Sequence, residues 1–115
     1  MSNKINTIVV GAGCIGLSVA RLLARRGREV VVLEANDGIG QETSSRNSEV
    51  VHAGIYYPPS SLKAKVCVDG NRMLYEFCES RGVPISRCGK LIVATEPGQC
   101  AELAKIQANA EANGA

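Results

Sequence analysis

Ring-bearing side chains are scarce in this chain. Its 115 residues include no Trp, one Phe, three Tyr and one His. A core must therefore rest on Val, Ile, Leu and Ala, which suits an α/β layer fold better than a small β-sandwich. An excess of one charge is missing too: 13 basic against 11 acidic residues leave a formal +2. That balance argues neither for nor against a nucleic-acid or membrane surface, and no nucleic-acid partner is expected. No apolar run approaches the ~20 residues of a membrane span, so no transmembrane segment is expected. Met1 to Asn6 is polar, and neither a secretory signal nor a transit peptide is read there. The five cysteines, at 14, 67, 78, 88 and 100, show no C-x-x-C spacing, and no metal site is expected of them. Their odd number without a signal argues for free thiols in a reducing compartment. A cytoplasmic location follows, with peripheral attachment at the inner face of a membrane as its variant. Cys67 and Cys78 read as small buried apolar residues. No internal repeat is visible, and no Ser-His-Asp order or carboxylate pair supports a hydrolase.

What is present begins with punctuation. Thr7 to Val10 reads as a buried strand, β-branched and closed by glycine. Cys14 to Arg26 reads as a helix with Leu17, Ala20, Leu23 and Ala24 at helical spacing, stopped by Gly27. Glu29 to Leu33 is a second short apolar strand ending at Glu34. Ala35 to Ser48 is polar and without periodicity, and Val50 to Tyr57 looks partly extended. Pro58-Pro59 forbids a helix before about residue 60. Ser60 or Ser61 can cap a helix running to about Ser80, with Leu62, Val66, Gly70, Leu74, Phe77 and Cys78 on one face. Gly82 and Pro84 end it. Lys90 to Thr95 reads as a third strand. Pro97 opens a last helix with Leu103, Ile106 and Ala110 inward, capped by Asn113-Gly114.

Between the first strand and first helix stands Gly11-Ala12-Gly13-Cys14-Ile15-Gly16, a G-x-G-x-x-G turn. In that setting Gly11 permits the tight turn, Gly13 admits a pyrophosphate to the backbone, and Gly16 lets helix and strand pack closely. The helix start, which includes Cys14 and Ile15, offers N–H groups and a positive dipole to phosphates. Glu34 lies 23 positions after Gly11, close to the ~20 expected of the carboxylate that holds a ribose. Ala35, next to it, is counted with the cofactor-binding residues. The alternative is a glycine turn of structural use only, with Glu34 a solvated strand end.

A nicotinamide unit would follow its second strand with a loop and another crossover helix. Here a long Gly/Ser/Thr/Asn stretch follows instead, able to wrap a cofactor and give it many polar contacts. A carboxylate at position 34 also disfavours a 2′-phosphate, which makes NADP the poorest candidate. The dinucleotide expected is FAD.

The run from Thr43 to Tyr57, together with K-A-K-V-C-V at 63–68 and C-G-K-L-I-V-A-T at 88–95, resembles the L-2-hydroxyglutarate dehydrogenase (oxidase) group. That group lies within the FAD-dependent D-amino-acid-oxidase-like superfamily, and the resemblance covers about residues 7 to 96. Small residues at Ala20 and Gly27 also resemble the extended flavoprotein fingerprint. A shorter likeness, S-S-R-x-S-x-x-x-H-x-G, links the run to flavin-dependent glycerol-3-phosphate dehydrogenases, but I-Y-Y-P-P fits the first group better.

The resemblance implies hydride transfer from the α-carbon of a 2-hydroxy acid to flavin N5, giving a 2-oxo acid. It implies that Thr43, Ser44, Ser45, Asn47 and Ser48 lie against flavin and pyrophosphate, with His52 and Gly54 near the isoalloxazine. A glycine lets a flat ring approach the backbone, and an imidazole can hold or take a proton near neutral pH. His52 is thus the candidate catalytic residue. A covalent flavin attachment there, or a purely structural histidine, are its other readings. Tyr56 and Tyr57 either line the site or pack. Arg46 either pairs an anion or is solvated. Lys63 and Lys65 solvate a helix start.

The expected fold class is α/β: a Rossmann-like FAD-binding βαβ unit, an incomplete doubly wound sheet, and the start of a substrate-domain strand and helices. Residues 7–48 would form the βαβ unit and flavin loop, and 49–115 the helical continuation. Such a sheet normally needs about five or six strands. A C-terminal remainder carrying the catalytic base is therefore expected, much apolar surface should lack a partner, and this length alone should hold FAD poorly. The electron acceptor would be oxygen, a quinone or a carrier protein. Competing readings are an FAD-dependent glycerol-3-phosphate or amino-acid oxidoreductase, an NAD-dependent dehydrogenase, and a non-catalytic nucleotide-binding module.

Overall fold

A computed structural model describes residues 5–115. Met1 to Lys4, part of the polar start read as free of a signal, lie outside the described residues. The chain forms two compact units that divide between Val50 and Val51.

The first unit is a βαβ. Strand β1 (Thr7–Val10) pairs in parallel with β2 (Val30–Leu33), with Thr7 opposite Val30 and Val10 opposite Leu33. All four residues of β1 and three of the four in β2 are β-branched, which favours the extended backbone. Helix α1 (Cys14–Arg25) connects them. It starts on Gly13, whose carbonyl accepts from the Leu17 N–H at 2.9 Å. It ends at Arg26, followed by Gly27 in the left-handed region at φ +75°. Ala20 is buried along α1. The polar stretch after β2 contains one short 3₁₀ turn, Thr43–Ser45.

The second unit carries helices α2 (Leu62–Arg81) and α3 (Cys100–Asn113). The Ser61 hydroxyl accepts from the Ala64 N–H at 3.1 Å and caps α2, as the sequence suggests. Gly82, at φ +66°, closes it. A 3₁₀ turn at Pro97–Gln99 leads into α3, and Gly114 at φ +69° ends that helix. Leu103, Ile106 and Ala110 are the half-covered side of α3, and none of them is buried.

Two expectations change. Lys90 to Thr95 is not a strand, and the described residues hold a single two-stranded sheet. Leu91 is 87% exposed. A β-branched run adopts the strand ladder only where a neighbour accepts its backbone bonds, and here none does. Val50 to Tyr57, read as partly extended, joins no sheet: Gly54 to Tyr57 forms a bend and turn, and Val50 to Ala53 is irregular chain.

The covered side of α2 is also different. Ala64, Cys67, Val68, Asn71, Tyr75 and Cys78 are buried or half-buried, whereas Leu62, Val66, Leu74 and Phe77 are exposed. Both stripes repeat at three to four residues. The stripe with small residues at Ala64 and Cys78 allows close approach, and it is the one covered.

Among the described residues only Ala12, Ala20, Ala64 and Cys78 are buried apolar residues, while Val10 is 83% and Leu62 75% exposed. The expected surplus of unpartnered apolar surface is thus present among the described residues. All five cysteines are free; Cys78 is buried, Cys67 half-buried and the others exposed.

Candidate dinucleotide-binding site

The glycine turn joins the end of β1 to the start of α1. Gly11 takes φ +95°, a backbone state that L side chains resist. Its N–H donates to the Leu33 carbonyl at 2.7 Å, which carries the β1–β2 ladder one residue beyond the strands. A Cβ on Gly16 would run into the Gly11 carbonyl oxygen and lie 3.5 Å from Val9 Cγ1. Gly16 is therefore a packing glycine, as its spacing predicts. Gly13 has an ordinary extended backbone, φ −77° and ψ 177°. What it requires is space: a Cβ there would sit 3.1 Å from Ser44 Oγ.

Glu34 turns toward this loop. Its carboxylate accepts from the Ala12 N–H at 2.7 Å through one oxygen. Through the other it accepts from Ala35 at 2.8 Å and Asn36 at 3.0 Å. The Ala12 bond, then that of Asn36, holds its carboxyl below the ordinary glutamate range; desolvation opposes them, and the Ala35 bond adds the least of the lowering. Glu34 is exposed, so the oxygens also face solvent.

Ser44 supplies what Gly13 cannot. A glycine at the N-cap has no side chain to satisfy the helix start, and the Ser44 hydroxyl accepts the Cys14 N–H at 2.9 Å from 30 residues away. Its hydroxyl hydrogen is left to donate elsewhere. This corrects one part of the expectation drawn from the loop. Three of its amides, those of Gly11, Ala12 and Cys14, already have protein acceptors, so the phosphate-facing set is smaller than the motif suggests.

The polar stretch is folded back onto the turn. Gly40, at φ +70°, donates its N–H to the Ala12 carbonyl at 3.0 Å. Asn36 Nδ2 donates to Glu42 at 3.1 Å. Ser45 Oγ bonds the Gln41 and Glu42 carbonyls, and Asn47 Nδ2 donates to the Ser44 carbonyl at 2.8 Å. Thr43 accepts the Arg46 N–H through its carbonyl. Ser44 is half-buried, and Thr43, Ser45, Asn47 and Ser48 are exposed. Sequence reading missed Gly40; a glycine in a polar stretch is a turn signal, but its partner cannot be read from spacing.

Gly11, Gly13, Cys14, Ile15, Gly16, Glu34, Ala35 and Ser44 therefore belong to one arrangement within the first unit. His52 and Gly54 belong to the second. His52 is exposed, with Nδ1 3.3 Å from the Tyr57 hydroxyl. Lys63 Nζ stands 4.4 Å over the Tyr57 ring, and Lys90 Nζ 4.9 Å over that of Tyr56. Gly54 is buried at φ +89°, and a Cβ on it would lie 2.9 Å from Val68 Cγ2 on α2. Packing against α2 is by itself enough to require glycine there. Among the described residues no group of His, Cys, Asp and Glu is gathered as a metal site.

The cradle fits a dinucleotide diphosphate on structural grounds: a side-chain-free Gly13, a hydroxyl with a spare hydrogen in front of it, a helix start behind it, and a carboxylate at the end of β2. Comparison with known proteins agrees. A model of the FAD-dependent oxidoreductase (DAO) family matches residues 6–115. An Arabidopsis thaliana protein named mitochondrial L-2-hydroxyglutarate dehydrogenase is 56% identical over 100 residues, covering 87% of this chain and 21% of its own length. The proteins of that name from Caenorhabditis elegans and Homo sapiens are 41% and 39% identical, over 96% and 98% of this chain. This chain spans about a quarter of their lengths, 26% and 25%. No helix among the described residues is long and apolar enough to cross a membrane. The family match over nearly the whole chain, on a glycine turn with its carboxylate in place, shows that the chain belongs to the FAD-dependent oxidoreductase (DAO) family.

Proposed function

We propose that this chain is the dinucleotide-binding part of an FAD-dependent enzyme that oxidises a 2-hydroxy acid, with L-2-hydroxyglutarate as substrate and 2-oxoglutarate as product. The observation that supports it most is the joint engagement of the glycine turn by Glu34 and Ser44, in a chain whose relatives carry that dehydrogenase name. The β1–β2 pair is the first part of a doubly wound sheet completed by further chain, which also supplies the catalytic base.

The residues act by holding. Glu34 keeps one carboxylate oxygen on Ala12 and presents the rest of its acceptor capacity to the adenosine ribose. Ser44 accepts from Cys14 and gives its own hydrogen to the diphosphate. Gly13 keeps the approach clear. Thr43, Ser45, Asn47 and Ser48 continue the polar contacts toward the flavin, and His52 and Gly54 stand beside its ring. Bound FAD supplies the two-electron acceptor for the substrate CH–OH carbon, while the hydroxyl proton passes to the base. His52 serves to hold or orient a proton rather than as a covalent anchor. The electron acceptor that follows is oxygen, a quinone or a carrier protein. The location expected above, cytoplasmic or peripheral at the inner face of a membrane, belongs to this proposal, although the relatives are named mitochondrial; cell fractionation decides it.

The test is anaerobic mixing of the FAD-loaded protein, at the length of its relatives, with single substrates. Bleaching of the flavin band by L-2-hydroxyglutarate is expected. Bleaching by glycerol 3-phosphate or an amino acid alone would overturn the substrate. A colourless protein that is protected by NAD would overturn the cofactor.

A further inference from the structure

The segment His52 to Tyr57 carries no regular backbone ladder, yet three of its carbonyls are taken by side-chain amides from distant residues. Asn71 Nδ2, on α2, donates to the His52 carbonyl at 3.1 Å. Asn113 Nδ2, at the last residue of α3, donates both hydrogens: to the Gly54 carbonyl at 2.9 Å and to the Tyr57 carbonyl at 3.0 Å. Between these anchors Gly54 is pressed onto α2 at φ +89°.

Asn113 is not needed to end its own helix. Gly114 does that in the left-handed region, with the Gly114 and Ala115 N–H groups bonding the Glu111 and Ala110 carbonyls. The amide has one sensible orientation, since turning it over would set its oxygen against two carbonyl oxygens. In that orientation Oδ1 is buried and has no hydrogen-bond partner among the described residues. A buried acceptor without a donor is unfavourable and calls for a reason. The reason is the double donation, which no other neutral side chain of that length can make.

We propose that Asn113 is a positioning residue for the flavin-facing segment: it sets the backbone of Gly54 to Tyr57, and through it the place of His52 and the Tyr57 hydroxyl. This rests on the reading that His52 and Gly54 stand at the flavin. Asn113 itself touches neither substrate nor cofactor. An acid at this position is nearly isosteric but offers carboxylate oxygens to two carbonyls, so it releases the segment instead of holding it.

The experiment uses the FAD-loaded protein at the length of its relatives. It compares His52→Ala, Asn113→Asp and Asn113→Gln by the flavin visible spectrum, the flavin midpoint potential, and kcat and KM separately. His52→Ala is expected to move the spectrum and potential. Asn113→Asp is expected to move them in the same sense and to lower kcat about ten- to a hundredfold, the loss typical of a misplaced reacting group. Asn113→Gln keeps both donors at a longer reach and should fall between. If Asn113→Asp does not fold, Asn113→Ala, which removes both donors and adds no oxygen, carries the test, and wild-type values in it would overturn the proposal. A folded Asn113→Asp protein with wild-type spectrum and kcat, beside a shifted His52→Ala, would overturn the role of Asn113 and leave the flavin reading standing. Unchanged spectra in both would remove the flavin reading and the positioning role with it.

Discussion

The glycine turn of the first unit and the His52 segment of the second face the same physical problem and solve it differently. Each is a stretch of irregular backbone whose polar groups need partners. In the turn, amides are taken by acceptors: the Glu34 carboxylate on Ala12 and the Ser44 hydroxyl on Cys14. In the His52 segment, carbonyls are taken by donors: the amides of Asn71 and Asn113. The first stretch has its amides used up by acceptors within the protein, and the second has its carbonyls gripped from behind by side-chain donors. The comparison shows how one chain satisfies two irregular backbones of opposite need with a few polar side chains.

Gly16→Val should have the largest effect on the first of these regions. Its side chain meets the backbone of Gly11, which cannot swing aside. A loss of about 1–3 kcal/mol, typical of overpacking, is expected in urea melts, together with loss of flavin. Gly13→Val comes next. The backbone there suits any residue, so stability should fall less. Flavin retention after gel filtration should still be lost, because the side chain enters the space of Ser44 and the diphosphate. Full flavin content would show that the turn is not the cradle.

The acid limb sharpens the comparison further. Glu34 has a carboxyl held below the ordinary glutamate range by the Ala12, Asn36 and Ala35 amides. A depressed carboxyl contributes stability that is complete above the ordinary range and is lost as pH falls through the lowered value. Flavin retention should hold at neutral pH and drop on acidification in that window. Glu34→Gln should weaken retention at neutral pH and flatten the drop, measured by flavin fluorescence released across a pH series. An unchanged acid limb in Glu34→Gln would remove Glu34 from the site. The smallest effects come from the two caps. Ser44→Ala and Ser61→Ala should each cost about 1 kcal/mol of stability, the usual value of a helix cap. Only Ser44→Ala should also loosen the flavin, since only Ser44 stands before the turn.

The turn was legible because its requirements are compressed into six residues and one acidic residue a strand away. Gly11 and Gly16 do what spacing says they do, and Glu34 lies beside the turn with its carboxylate on the Ala12 amide. The resemblance singles out Ser44, but its place as the remote cap of α1 was not readable, because that bond depends on the path of the polar stretch and not on its composition. Helices α1, α2 and α3 were legible through periodicity and punctuation. The buried side of α2 was not, since two apolar stripes have the same period and only the smaller one lets a neighbour come close. Lys90 to Thr95 has the composition of a strand without the partner that would make it one. Asn71 gave no signal and Asn113 read only as part of a helix end: an asparagine within a helix or at its end is ordinary, and its acceptors lie 19 to 59 residues away.

Ala12 is 2% exposed, its N–H is held by Glu34 and its carbonyl by Gly40. An amide bonded in a covered position, on a residue whose carbonyl is bonded too, exchanges mainly when the surrounding structure opens. Its amide proton should therefore exchange on the timescale of the β1–β2 pair, although it sits in a loop. That one slow proton would serve as a built-in gauge of whether the nucleotide end of the protein is intact before any cofactor is added.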